Sequence, residues 1–144
     1  MREIAGNIWD YHGIGSFLVV TTNCDVNRHG NAIMGRGIAA QTAQRYPGLP
    51  RRLGELIKQR PQAVRMFEAE QLIMFPVKFH WNQPASLTLI QQSAEMLMQM
   101  DVPGQIYSVR PGCGNGGLRW EDVRPILEPI FGDKIIIVER GTVW

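Results

Sequence analysis

The segment from Pro111 to Trp120 reads Pro-Gly-Cys-Gly-Asn-Gly-Gly-Leu-Arg-Trp and holds four of the chain's fifteen glycines. Without a Cβ in the way, successive backbone N–H groups can point into one concavity. A helix start behind them adds unpaired donors at the positive end of its dipole. The chemistry this suits is phosphate binding, since a plain turn needs only one or two glycines. A second segment of the same kind passes Asn23, Asn27, Gly30 and Asn31 to reach Met34-Gly35-Arg36-Gly37-Ile38, where another helix opens. Two such loops, each after a strand and before a helix, suggest a ligand with two phosphates held at the strands' carboxyl ends. Neither is a P-loop, because the lysine-serine pair is absent. Gly112-x-Gly114-x-x-Gly117 fits the letters of the dinucleotide fingerprint, but no βαβ unit follows it, and Glu139 is the one acidic candidate about twenty positions on.

The elements that must carry these loops alternate along the chain. Apolar runs predict strands at Ile4–Ile8, Phe17–Thr22, Val64–Phe67, Leu72–Val77, Gln105–Val109 and Lys134–Glu139. Helical spacing predicts helices at Gly37–Tyr46, Leu49–Lys58, Ser86–Met100 and Trp120–Ile130. Leu87, Ile90, Ala94, Leu97 and Met98 share one stripe of the third helix, with Ser86 as its N-cap, and Met96, Met98 and Met100 read as core filling. Pro129 in the last helix predicts a kink or an early stop. Strands alternating with helices imply an α/β fold, a three-layer α/β/α sandwich.

Composition agrees with one domain over residues 1–144, long enough to bury roughly 68–70% of its unfolded surface. The formal charge of +2 argues against a nucleic-acid track, and Arg51-Arg52 read as a solvated helix face. Cys24 and Cys113 lie in or beside the loops without metal-like spacing, which fits a reduced, cytoplasmic protein. The opening lacks a signal-peptide pattern, and there is no apolar run long enough to span a membrane.

Several motifs occur together in a known order: Gly6-Asn7-Ile8, Thr22-Asn23, Met34-Gly35-Arg36-Gly37-Ile38-Ala39, Phe75-Pro76-Val77-Lys78-Phe79-His80-Trp81 and Gly112-Cys113-Gly114-Asn115-Gly116-Gly117-Leu118-Arg119-Trp120. In these the chain resembles the macrodomains, most nearly the branch of the antitoxins that remove ADP-ribose from DNA and the related glutamate-ADP-ribose hydrolases. The resemblance implies a mixed, about six-stranded sheet and a site for ADP-ribose or an ADP-ribosylated macromolecule. Nucleic acid would enter only as a modified substrate, with no membrane partner and no cofactor or metal.

It further implies roles for individual residues. Met34, Gly35, Arg36, Gly37 and Ile38 would form one diphosphate loop, and Gly112, Cys113, Gly114, Asn115, Gly116, Gly117 and Leu118 the other. Asn7 stands where the family carries an acidic residue that accepts a bond from the adenine amino group; its amide carbonyl can still accept, without charge assistance. The Ile8 backbone N–H would be a second adenine contact. Asn23 would approach the distal ribose, although a turn role explains it equally. Arg36 replaces the lysine that related hydrolases carry in this motif; a guanidinium holds phosphate bidentately but is no nucleophile. Gly116 stands where some hydrolases have an acid. Asn23, Arg36 and His80 are the catalytic candidates, His80 having an equally good reading as a residue that orients Lys78 or the strand end.

On this reading binding ranks ahead of hydrolysis of an ADP-ribosyl conjugate or of ADP-ribose 1″-phosphate, because Arg36 loses the lysine chemistry. A thiol hydrolase using Cys113 and His80 ranks lower, though a thiol at a helix start would be acidified. A protein-interaction module would use Arg51-Arg52 and Trp144. His12 and His29 read as surface loop residues.

Overall fold

The computed structural model describes residues 1–13 and 15–140; Trp144 lies outside them. Six strands, β1 (Arg2–Gly6), β2 (Ser16–Asn23), β3 (Arg65–Phe67), β4 (Leu72–Lys78), β5 (Gln105–Ser108) and β6 (Ile135–Arg140), form one sheet in the order β1-β6-β5-β2-β4-β3. All neighbours are parallel except β3, which runs antiparallel to β4 at the edge. The helices are α1 (Gly37–Arg45), α2 (Leu49–Gln59), α3 (Leu87–Met98) and α4 (Trp120–Phe131).

Strand alternation sends side chains to two cores. Phe17, Val19, Ile73 and Phe75 meet Ile90, Ala94 and Leu97 of α3 and Val123, Leu127 and Phe131 of α4. Leu18, Val20, Leu72 and Met74 meet Ile38 and Ala39 of α1 and Leu49, Leu53 and Ile57 of α2. A helix layer on each face of a mostly parallel sheet gives the expected α/β/α sandwich, and the central strands are apolar on both faces for that reason.

Two local expectations change. The first strand ends at Gly6 rather than Ile8, because Asn7 Oδ1 accepts the Trp9 N–H at 3.0 Å and caps a 3₁₀ turn over Ile8–Tyr11. An Asn side chain that offers the backbone this local bond competes with the sheet ladder. The last helix does not stop at Pro129 but runs to Phe131, closing at Gly132 with φ 52°. Pro125 and Pro129 each cost about 3 kcal/mol in a helix interior, while burial of Val123, Leu127 and Phe131 contributes roughly 1.5–3 kcal/mol apiece. Packing on both sides of the prolines therefore offsets them.

One irregularity bears directly on the cleft. The β2–β4 register steps from Thr22↔Pro76 to Asn23↔Lys78. Pro76 has no N–H to give to a ladder, so a proline in an interior strand is accommodated at a bulge. The step brings Asn23 and Lys78 opposite one another at the carboxyl ends of two central strands.

Candidate functional site

The carboxyl ends of β2, β4 and β6 and the loop after β5 surround a cavity of about 800 Å³. On one side lies the start of α1. Its N-cap, Arg36, makes no side-chain capping bond, so the first N–H groups of the helix have no acceptor within it. Gly35, Arg36, Gly37, Ile38 and Ala39 all line the cavity. On the other side a 3₁₀ turn over Gly114–Gly116 opens from Cys113, again without a side-chain cap, and Gly112, Cys113, Gly114, Asn115 and Gly116 line the cavity. The loops touch: a Cβ on Gly37 would stand 3.2 Å from Asn115 Nδ2. One uncapped helix start and a glycine-rich turn facing one cavity make an anion cradle of backbone N–H groups.

Side-chain charge has the same sign. Among the described residues, Arg36, Lys78, Arg110 and Arg140 line the cavity together with one acid, Glu139. The Arg110 guanidinium lies 3.4 Å from Glu139 Oε2, 3.9 Å from Glu3 Oε1 and 5.3 Å from the Trp120 ring centroid, and its buried Nε–H has no hydrogen-bond partner among the described residues. A second cavity, of about 710 Å³, sits at the strands' amino ends, lined by Arg2 and Lys134 but also by Asp101, Asp133 and the carboxyl end of α3. Balanced charge and a negative helix end make it the poorer anion site.

Asn23 lines the cavity and also clamps its own loop, with Nδ2 donating to Ile33 O at 3.0 Å and Oδ1 accepting the Asp25 N–H at 3.0 Å. Its polar atoms are thus largely engaged before any water or ligand arrives. His80 is not among the lining residues. It is exposed, and its Nδ1 lies 3.0 Å from Asp25 Oδ1, while Asp25 Oδ2 accepts the Trp81 N–H at 2.8 Å. An ionised carboxylate only accepts, so Nδ1 carries the proton. This geometry favours the reading of His80 as a residue that orients the strand end.

Other predicted site residues lie away from the cavity lining. Asn7 is exposed and engaged in its cap; Ile8 is fully buried. Met34 joins the α1–α2 core while its neighbour Ile33 lines the cavity. Leu118 packs against the α3–α4 core, and Gly117 closes the 3₁₀ turn at φ 77°. The Cys113 thiol is not acidified: burial pushes its pKa up, partly countered by Arg110, and Sγ donates to Pro111 O at 3.7 Å. That removes the basis for a thiol nucleophile. His12 is not a plain loop residue either, since Nε2 lies 2.7 Å from Glu70 O and the ring packs edge-on against Trp9 and Tyr46.

Lys78, Trp81, Arg110, Glu139, Arg140 and Gln41 line the cavity without having been singled out as site residues. Lys78 and Trp81 sit inside a quoted motif, and the signal that could have found them is Pro76, whose bulge turns the end of β4 towards β2. Arg110, Glu139 and Arg140 needed the β5–β6 pairing. Gln41 is held by Trp9, whose Nε1 donates to Gln41 Oε1 at 2.6 Å, a contact across 32 residues that no local pattern carries.

No protein-family model matches the chain. The DNA ADP-ribosyl glycohydrolases of Mycobacterium tuberculosis and Mycobacterium bovis are 33% identical over 126 residues, which is 79% of this chain and 34% of each relative. The chain thus spans about a third of the length of these curated relatives. The macrodomain of Mycobacterium tuberculosis DarG superposes with a TM-score of 0.75 at 26% identity, over 96% of this chain and 97% of that one. The macrodomain of Thermus aquaticus DarG gives 0.74 at 22% identity, over 97% of each chain. The fold is therefore that of a macrodomain. Within that class the chain is related to the DarG macrodomains.

Proposed function

We propose that the carboxyl-end cleft binds ADP-ribose, with the diphosphate between the start of α1 and the Gly114–Gly116 turn, and that it cleaves ADP-ribose from a conjugate, DNA being the favoured acceptor. The observation that carries the binding reading is the convergence of the uncapped start of α1, the glycine-rich Gly114–Gly116 turn and the basic side chains Arg36, Lys78, Arg110 and Arg140 on one cavity. Hydrolysis moves ahead of binding alone because the relatives matched over 79% of the chain are named as DNA ADP-ribosyl glycohydrolases.

The argument from Arg36 against hydrolysis also loses its force. Arg36 retains an anion-holding role, and a lysine is present in the cleft after all: Lys78, opposite Asn23 in the register. In the proposed reaction the Lys78 amine attacks the anomeric carbon of the distal ribose. The bond to the acceptor breaks with its electron pair, and the acceptor atom takes up the amine's proton. Water then displaces the amine, its oxygen bonding to the anomeric carbon and one of its protons passing to the departing Lys78 nitrogen, and ADP-ribose is released. The helix starts and Arg36 hold the diphosphate so that the reacting carbon stays in place.

The test is calorimetric titration with ADP-ribose, AMP and NAD, followed by incubation with an ADP-ribosylated oligodeoxynucleotide. The expected result is tight ADP-ribose binding, weak AMP binding and release of ADP-ribose from the oligonucleotide. Lys78→Ala and Lys78→Arg should both lower the cleavage rate by roughly 100-fold or more while ADP-ribose affinity changes far less. Full activity in Lys78→Arg would overturn the nucleophile and leave charge as the role of Lys78. Absence of heat with all three ligands would overturn the ligand itself.

A further inference from the structure

Among the described residues Trp81 is the exposed large hydrophobic side chain, 56% accessible, and it lies at the lip of the cleft. Exposure alone would carry nothing, since single apolar residues are common on surfaces. Here the backbone that carries the indole is also held in place. The Trp81 N–H donates to Asp25 Oδ2 at 2.8 Å, and the other oxygen of the same carboxylate accepts from His80 Nδ1 at 3.0 Å. Asp25 is in turn held to Asn23 Oδ1 through its own N–H at 3.0 Å. Two of these bonds link the end of β2 to the backbone of the exposed tryptophan, and the third ties His80 to the same carboxylate. This explains Asp25 and His80, which the reaction does not use.

From this we infer that Trp81 is a stacking platform for a nucleobase of the acceptor strand, next to the end of the cleft where Lys78 and Asn23 meet. The inference rests on the proposed ADP-ribosyl hydrolysis and names which side of the conjugate this lip reads. The chemistry favours nucleic acid over a polypeptide. His80, Asn82 and Gln83 beside Trp81 are exposed and polar, so among the described residues the apolar face of the segment 80–84 is limited to Trp81 and Pro84, little for a peptide to cover. Among the described residues the cleft it borders has more basic than acidic lining side chains, with Arg36 and Lys78 beside the Arg110–Glu139 pair, which suits a phosphodiester backbone. A flat aromatic face beside cations binds single-stranded bases with little regard to sequence. The backbone that carries the ring is held by Asp25, so the place of the platform on the lip is set before a base settles on it.

The experiment compares wild type, Trp81→Ala and Trp81→Phe in cleaving ADP-ribose from a single-stranded oligodeoxynucleotide and from a peptide, with titration of free ADP-ribose alongside. The expected result is a KM for the oligonucleotide conjugate raised on the order of ten-fold or more in Trp81→Ala, most of the loss restored in Trp81→Phe, and free ADP-ribose affinity within about two-fold of wild type. An unchanged oligonucleotide KM overturns the platform. So does an equal loss for the peptide conjugate, which would make the lip a general contact, or an equal loss for free ADP-ribose, which would make Trp81 part of the nucleotide site. If wild type itself neither binds ADP-ribose nor cleaves a conjugate, the underlying reading has failed, and that is seen before any variant is made.

Discussion

In the loop that leads into α1, a Cβ built on Gly35 meets nothing within 4 Å; in the loop after β5, one built on Gly112 would stand 2.6 Å from Ile90 Cδ1 and one on Gly116 2.9 Å from Ala85 Cβ. Both loops are glycine-rich and both line the same cavity, but their glycines answer different needs. In the second loop Gly112 and Gly116 let the chain lie against α3 and the residue before it, and the Ala85 N–H fastens it there by donating to Gly116 O at 2.9 Å. The first loop takes its close approach from a neighbour instead. A Cβ on Gly54, in the middle of α2, would sit 2.0 Å from Gly30 O and 2.9 Å from Ala32 N. The glycine count of a loop is therefore a poor measure of its phosphate cradle, since some glycines are there for what lies beneath.

The widest separation between the loops should come from Gly54→Ala. Helix propensity alone would make this change favourable by about 1 kcal/mol, yet the backbone contact cannot yield as a side chain would. The expected loss is ~3 kcal/mol of unfolding free energy, read from urea denaturation, with ADP-ribose binding lost as the first loop is pushed out. A variant as stable as wild type would mean that α2 does not press on the loop. Gly112→Ala tests the second loop and should cost about 2 kcal/mol, from the contact with Ile90 and from its φ of 75°. Its counterpart is Gly35→Ala, which should stay within ~0.5 kcal/mol of wild type while weakening ADP-ribose binding several-fold. Equal stability losses at the two positions would erase the contrast. A bulky residue at Gly116 is a worse probe of the cradle, because it would displace Ala85 before reaching the ligand.

Much of this was readable from the chain, and the rest fails for physical reasons. Strands such as Leu72–Lys78 and helices such as Leu87–Met98 declare themselves because apolar runs and helical stripes are local patterns. The two loops are likewise local, and they do meet. Arg110 meeting Glu139 depends on β5 lying beside β6, a pairing set by the whole sheet. The end of β1 was misjudged because Ile8 looks like a strand residue, whereas the side chain of Asn7 decides the backbone there. The Phe75–Trp81 motif does not single out Lys78, because a motif gives residue types without saying which side of a bulge faces the cavity.

A finer test of the loop comparison uses their cysteines. Cys24 follows Asn23 at the root of the first loop, and its thiol is pushed up to about 11 from 9.0, by burial first and then by the carboxylate of Asp25, with Arg65 acting weakly in the other direction. Burial raises Cys113 too, but there the neighbouring charge is Arg110, which favours thiolate. The fold prefers protonated Cys24, so the unfolded chain gives up that proton first. The stability tied to this thiol is complete below pH 9 and is lost as pH rises through about 11. Urea midpoints measured from pH 7.5 to 10 should therefore fall less steeply in Cys24→Ala than in wild type. Alkylation by iodoacetamide, read by mass spectrometry, should reach Cys113 before Cys24, since the thiolate is the reacting form. ADP-ribose should slow labelling of Cys113, which lines the cavity, and leave Cys24, which does not, largely unaffected. Labelling of Cys24 first would mean that burial and Asp25 do not hold its proton. Equal protection of both thiols would mean that ligand tightens the whole carboxyl edge, rather than covering the second loop alone.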